Sequence, residues 1–116
     1  TPELLTFPSG IFVDDGLNLY VADTGNNRIQ YFPFGQLSAT TVAGTGLMGS
    51  LTLNAPMNVV LDADGYLFIV DHGNHRIIGS GPDGFRCLIN CGMDGPSTSL
   101  LDLPRTVQFD ASGNLI

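Results

Sequence analysis

The chain has 116 residues, 43% of them hydrophobic and only 13% charged, and its eleven acidic residues outnumber four arginines and no lysine for a net charge of -7. A general nucleic-acid binder needs a basic footprint to neutralise phosphates, and this balance lacks one, so no nucleic-acid partner is expected. No apolar run reaches the roughly 18 residues of a membrane helix and no signal peptide is visible, so no membrane insertion is expected.

In chain order the sequence reads as short strands divided by turn chemistry. A buried-looking run over residues 10–14 follows Pro8, and a turn over 15–18 leads to a second strand at 19–23. A Gly/Asn loop, 24–27, precedes a third strand at 28–32, and a turn at 33–36 precedes a fourth at 39–43. A long loop over 44–55 then returns the chain to Pro56, where the series begins again: strands at 58–62, 67–71, 76–80 and 86–90, and a second long loop over 92–103. A third start follows Pro104, with strands at 106–110 and 115–116. Glycine in the tight turns supplies positive φ, and no segment carries a helical period.

The chain thus repeats with a period of 48 residues and no insertion or deletion in the sequence: Pro8, Pro56 and Pro104 share a phase, as do Asp14, Asp62 and Asp110. The successive repeats are 1–54, 55–102 and 103–116, the first including the tail of a preceding repeat and the last cut short. Four antiparallel strands per 40 to 50 residues make one blade of a β-propeller, so the expected fold is all-β, a partial propeller completed by further sequence or by neighbouring chains. Alternating connections place Arg28, Arg76, Arg105, His72 and His75 at one end of the blades. They place Asp14, Asp15, Asp62, Asp64, Asp83 and Asp110 at the other.

Residues 19–32 and 68–77, with their apolar-Asp-x-Gly-Asn-x-Arg-Ile pattern, together with Pro8, Gly10 and Asp14, resemble the NHL repeat. Asn58 departs from the pattern, standing where that repeat has glycine. The resemblance implies a propeller, usually of six blades, used mostly as a rigid interaction platform. Some relatives are metal-dependent lyases with histidines in the central channel, and some bind RNA.

Asp23, Asn26 and Arg28 recur as Asp71, Asn74 and Arg76. Repetition in phase is what a structural clamp shows, because each blade needs its own: Asp accepts from loop N–H groups and from Arg, and Asn tolerates left-handed backbone. His72 and His75 lie in one loop, and zinc wants three or four converging ligands, so no metal and no cofactor are expected. Asp62 and Asp64 mimic the opening of a calcium loop, but no further ligands follow at the required spacing. No nucleophile arrangement is visible, and the chain is read as not an enzyme.

Cys87 and Cys91 stand, by the 48-residue count, at the places of Ala39 and Ala43. Four steps of extended strand span about 13 Å, too far for a disulfide unless the chain turns between them. The alternatives are a local disulfide, two reduced thiols, or bridges to other segments. Extracellular invertebrate NHL proteins are similar in carrying such a cysteine pair, which implies the local disulfide and a secreted protein. The functional expectation is a non-catalytic scaffold for a protein or glycan partner, or a unit of structural assembly. It would act through an interaction face with Asn27, His72, His75 and Arg105, or self-associate through open terminal blades. A lyase- or lactonase-like metalloenzyme and a filament or ring subunit are the alternatives.

Overall fold

A computed structural model describes residues 4–45, 52–82 and 84–89. Among these residues eight strands form two antiparallel sheets. The first comprises β1 (Pro8–Val13), β2 (Leu19–Asp23), β3 (Arg28–Phe32) and β4 (Thr40–Gly44), side by side in that order. The second comprises β5 (Pro56–Leu61), β6 (Leu67–Asp71), β7 (Arg76–Gly81) and β8 (Gly84–Ile89), again in sequence order. Each strand pairs with the next, so each sheet is a meander, the form of one propeller blade. Single 3-10 turns, Thr24–Asn26 and His72–Asn74, fill the loops after β2 and β6.

The two blades pack face to face. Ala22, Ile29 and Ala43 of the first blade form one buried cluster with Val59, Leu67, Ile69 and Ile78 of the second. Burying a branched aliphatic side chain contributes about 1.5–3 kcal/mol, so this seam is the main apolar cement of the described residues. Val59 of β5 is 0% exposed beneath the first blade, whereas Ile11, at the matching place in β1, is 64% exposed.

The inner strands carry a further device. β1 and β5 each have a register shift after the opening proline, between Pro8 and Gly10 and between Pro56 and Asn58. A bulge re-aims the side chain at the extra residue. Ser9 consequently turns its hydroxyl to the neighbouring blade and donates to the Met57 carbonyl at 2.9 Å. Gly10 permits the approach: a Cβ there would sit 2.5 Å from the same carbonyl.

The outer hairpins break the 48-residue period. Tyr31 pairs with Thr40, but its counterpart Gly79 pairs with Arg86; Gln30 faces Thr41, and Ile78 faces Cys87. Residues 33–39 connect β3 to β4, whereas Gly81 pairs with Gly84 and only residues 82 and 83 intervene between β7 and β8. Cys87 therefore takes the structural place of Thr41, not of Ala39. The physical reason is that glycines at both ends of the second hairpin allow a tight turn, Gly84 with φ 103°, while the first connection closes over a wider loop. The sequence count concealed this because Pro104 returns to phase.

Candidate functional site

The end of the blades that carries the 3-10 turns is built twice from the same parts. Asp23 closes β2 and is fully buried. Its Oδ1 accepts the Thr6 N–H at 2.7 Å; its Oδ2 accepts Asn26 Nδ2 at 3.0 Å and Arg28 Nε at 2.7 Å. Arg28 Nη2 then donates to the Leu4 carbonyl at 2.8 Å. In the second blade Asp71, also fully buried, accepts Asn54 N–H at 2.7 Å, Asn74 Nδ2 at 2.9 Å and Arg76 Nε at 2.8 Å. Arg76 Nη2 reaches the Thr52 carbonyl at 2.7 Å. Each carboxylate thus ties the segment entering its blade to the loop after the second strand. Charge-assisted bonds of this kind are about twice as strong as neutral ones, and here they serve the backbone.

Gly25 and Gly73 complete the tie by donating to the Thr6 and Asn54 carbonyls, both at 2.7 Å. A Cβ on either would lie about 2.5 to 2.6 Å from Thr6 or Asn54, so the two strands of chain touch backbone to backbone. Asn26 and Asn74 lie within the 3-10 turns and act through their side-chain amides. The left-handed residues come one place later, Asn27 at φ 55° and His75 at φ 56°.

Asn27, expected on an exposed interaction face, has a task inside the assembly. Its Oδ1 accepts the Ala55 N–H at 2.8 Å across the blade boundary, and its carbonyl accepts the Thr45 N–H at 3.1 Å. Thr24 makes a parallel crossing, its hydroxyl donating to the Pro56 carbonyl at 2.7 Å. Composition gave no hint of Thr6, Ser9 or Thr24; the in-phase glycines 25 and 73 were the available signal for the close approach. His72 and His75 are half-buried in the second-blade turn. Arg105, Cys91, Asp83 and Asp110 lie outside the described residues.

At the opposite end, the turns after β1 and β5 flank a cleft of about 430 Å³ lined by Asp14, Asp15, Tyr20, Leu61 and Asp62 among others. Asp14 Oδ1 accepts the Gly16 and Asn18 N–H groups at 2.9 Å each, and Asp62 Oδ1 accepts those of Asp64 and Tyr66 at 2.9 Å each. The Asn18 backbone donor is the chief cause holding the Asp14 carboxyl below the usual carboxylate range. These bonds explain Asp62 and Asp64 as turn formers. Tyr20 stacks at a tilt on Tyr31, ring centres 4.8 Å apart, and burial pushes its phenol above the ordinary value, helped by Tyr31 and Asp14. Among the described residues no group of three or more His, Cys, Asp or Glu side chains is placed to hold a metal ion.

Meandering four-stranded sheets packed face to face define the class: these are blades of a β-propeller. Residues 5–32 match the NHL repeat model. No curated protein matches the sequence. Among solved structures, the selenomethionine form of virginiamycin B lyase from Staphylococcus aureus aligns with a TM-score of 0.66 at 15% identity, covering 93% of this chain and 33% of the lyase. A catalytically inactive variant of that enzyme with quinupristin aligns at a TM-score of 0.66 and 16% identity, with the same coverage. At such identity the likeness defines the fold alone, and the chain spans about a third of those structures.

Proposed function

We propose that this chain is a non-catalytic propeller scaffold that presents the loops around 24–27 and 72–75, together with Arg105, to a protein or glycan partner outside the cell. The observation that carries the reading is the internal engagement of the in-phase polar residues. Asp23 and Asp71 each take three donors from their own blade, and both arginines extend the clamp to backbone carbonyls. Such a frame holds loops rigidly, and rigid loops bind with little ordering cost. His72 and His75, which break the repeat where the first blade has Thr24 and Asn27, supply the loop's individuality. A protein and glycan array probed with the intact protein and with the His72→Ala/His75→Ala/Arg105→Ala variant tests this. Undiminished binding of every ligand by the variant would overturn it.

The secreted location rests on a Cys87–Cys91 bridge, which belongs to the same proposal. Mass shift on alkylation without reductant reads it directly: two labelled thiols in protein from an oxidising medium would remove that support. A second reading is self-association. It is favoured by Ile11 and Val13, apolar and at least half exposed at places matching the packed Val59 and the half-buried Leu61. Sedimentation over a concentration series checks it, with a single monomeric species as the contrary result. The metal-dependent lyase alternative has the fold likeness as its support, and elemental analysis of the intact protein decides it.

A further inference from the structure

We propose that Leu17, Phe34 and Leu37, at the end of the first blade opposite the 3-10 turns, form a docking surface. Its occupant is a protein segment whose apolar side chains are flanked by lysine or arginine. This surface is distinct from the loops of the scaffold reading and stands or falls without them.

Three departures from the repeat meet at this place. Leu17 holds φ 65° in the turn after β1, where the second blade has Gly65 at φ 85°. A left-handed leucine brings its Cβ against the backbone, a strain that glycine avoids. Asn18 replaces Tyr66, and its side-chain oxygen accepts the Phe34 N–H at 2.9 Å, drawing the β1–β2 turn against the β3–β4 connection. That connection, residues 33–39, is the loop that the second blade lacks. Phe34 is 66% exposed, Leu37 91% and Leu17 58%. Strained, exposed apolar residues are unfavourable for folding and for solubility, so their clustering on two joined turns signals contact with something else.

The exposure of Leu17 is not owed to an uncovered blade face. Gly65, the counterpart of Leu17, lies in a blade whose neighbour is in place, and a Cβ there would still meet nothing within 4 Å. The end of the blade at this turn therefore points outward whether or not another blade is adjacent.

Charge selects the occupant. Asp14 and Asp15 belong to the same turn as Leu17, and the adjoining cleft brings in Asp62. Of the described arginines, Arg28 and Arg76 are engaged in the clamps at the other end, and Arg86 stands on the outer strand of the second blade. The chain has no lysine, and among the described residues no arginine pairs with these carboxylates, so the turns present apolar tips beside acid. Complementary charge speeds encounter and rejects acidic competitors, while the buried apolar contacts set affinity.

The probe is a fluorescent heptapeptide of three leucines with two lysines on each side. It is compared by anisotropy at low salt with one bearing glutamates for the lysines and one bearing serines for the leucines. The lysine–leucine peptide is expected to bind at least about tenfold tighter than either control. Phe34→Ser/Leu37→Ser and, separately, Leu17→Gly should weaken it at least about threefold, and Asp15→Asn should flatten its salt dependence. Leu17→Gly matches the second blade's own turn and so keeps a folded variant available. Equal binding of the lysine–serine peptide overturns the proposal, as does equal binding by the variants or no binding of the lysine–leucine peptide. A dimer of the peptide-free protein that Phe34→Ser/Leu37→Ser abolishes overturns it too, because the occupant is then a second copy.

Discussion

Replacing Asp71 with alanine is the sharpest test of the clamp. The carboxylate is fully buried and accepts three donors: the Asn54 backbone N–H, the Asn74 amide and the Arg76 Nε. Asp71→Ala leaves all three without that acceptor, one of them a guanidinium whose side chain is only 24% exposed. Removing one partner of a buried ion pair costs about 3–5 kcal/mol, because the remaining charge stays desolvated. Arg76→Ala breaks the same pair from the other side. Asp71 keeps two neutral donors but loses its counter-charge while fully buried, so a loss of about 3–5 kcal/mol is expected here too. The double variant should cost less than the sum of the singles by at least about 1 kcal/mol, as groups in one network do. Urea unfolding followed by circular dichroism gives all three values. A loss below about 1 kcal/mol for either single variant would show that the pair does not hold the blade.

Asn27→Ala removes the acceptor for the Ala55 N–H across the blade boundary and should cost about 1–2 kcal/mol, read from the same unfolding curves. Gly25→Ala places a methyl group 2.6 Å from Thr6 and should destabilise by more than the same change at Gly35, where the space is open and only the positive φ resists. Asp14 has a folded value lowered from 3.8, so its contribution is present above that value and disappears as pH falls through the lower folded one. The difference in urea midpoint between the protein and Asp14→Ala should accordingly be full at neutral pH and shrink in acid. Tyr20 is raised from 10.0 and should ionise later than a free phenol in an alkaline absorbance titration; Tyr31→Leu should bring it part of the way back.

The clamp shared by the two blades was legible because its parts obey one beat. Asp23 with Asp71, Arg28 with Arg76 and Gly25 with Gly73 recur in phase, and each pair performs the same act. The Asp–Arg pairing was read from the sequence, but the further partners of the arginines were not, since they are backbone atoms: the Leu4 and Thr52 carbonyls accept whatever side chain the residue bears. The cross-blade role of Asn27 was hidden for a related reason. Polar loop residues resemble ligand contacts in a sequence, and only the neighbouring blade reveals that its oxygen meets the Ala55 N–H. The outer hairpins escaped because a count of residues cannot distinguish a long connection with an early strand from a short one with a late strand. Cys87 opposite Ile78 is the register that settles it.

The unequal connections 33–39 and 82–83 also bear on engineering. Blade seats on blade through β5 against β1 and β2, and the clamps sit at the far end, so the outer hairpin can lengthen without disturbing either. Loop closure penalises each doubling of length by only about 0.6 kcal/mol. A foreign recognition peptide inserted between Gly81 and Gly84 would therefore be displayed at little cost in folding. The sequence already contains the precedent, one blade with such an addition and one without.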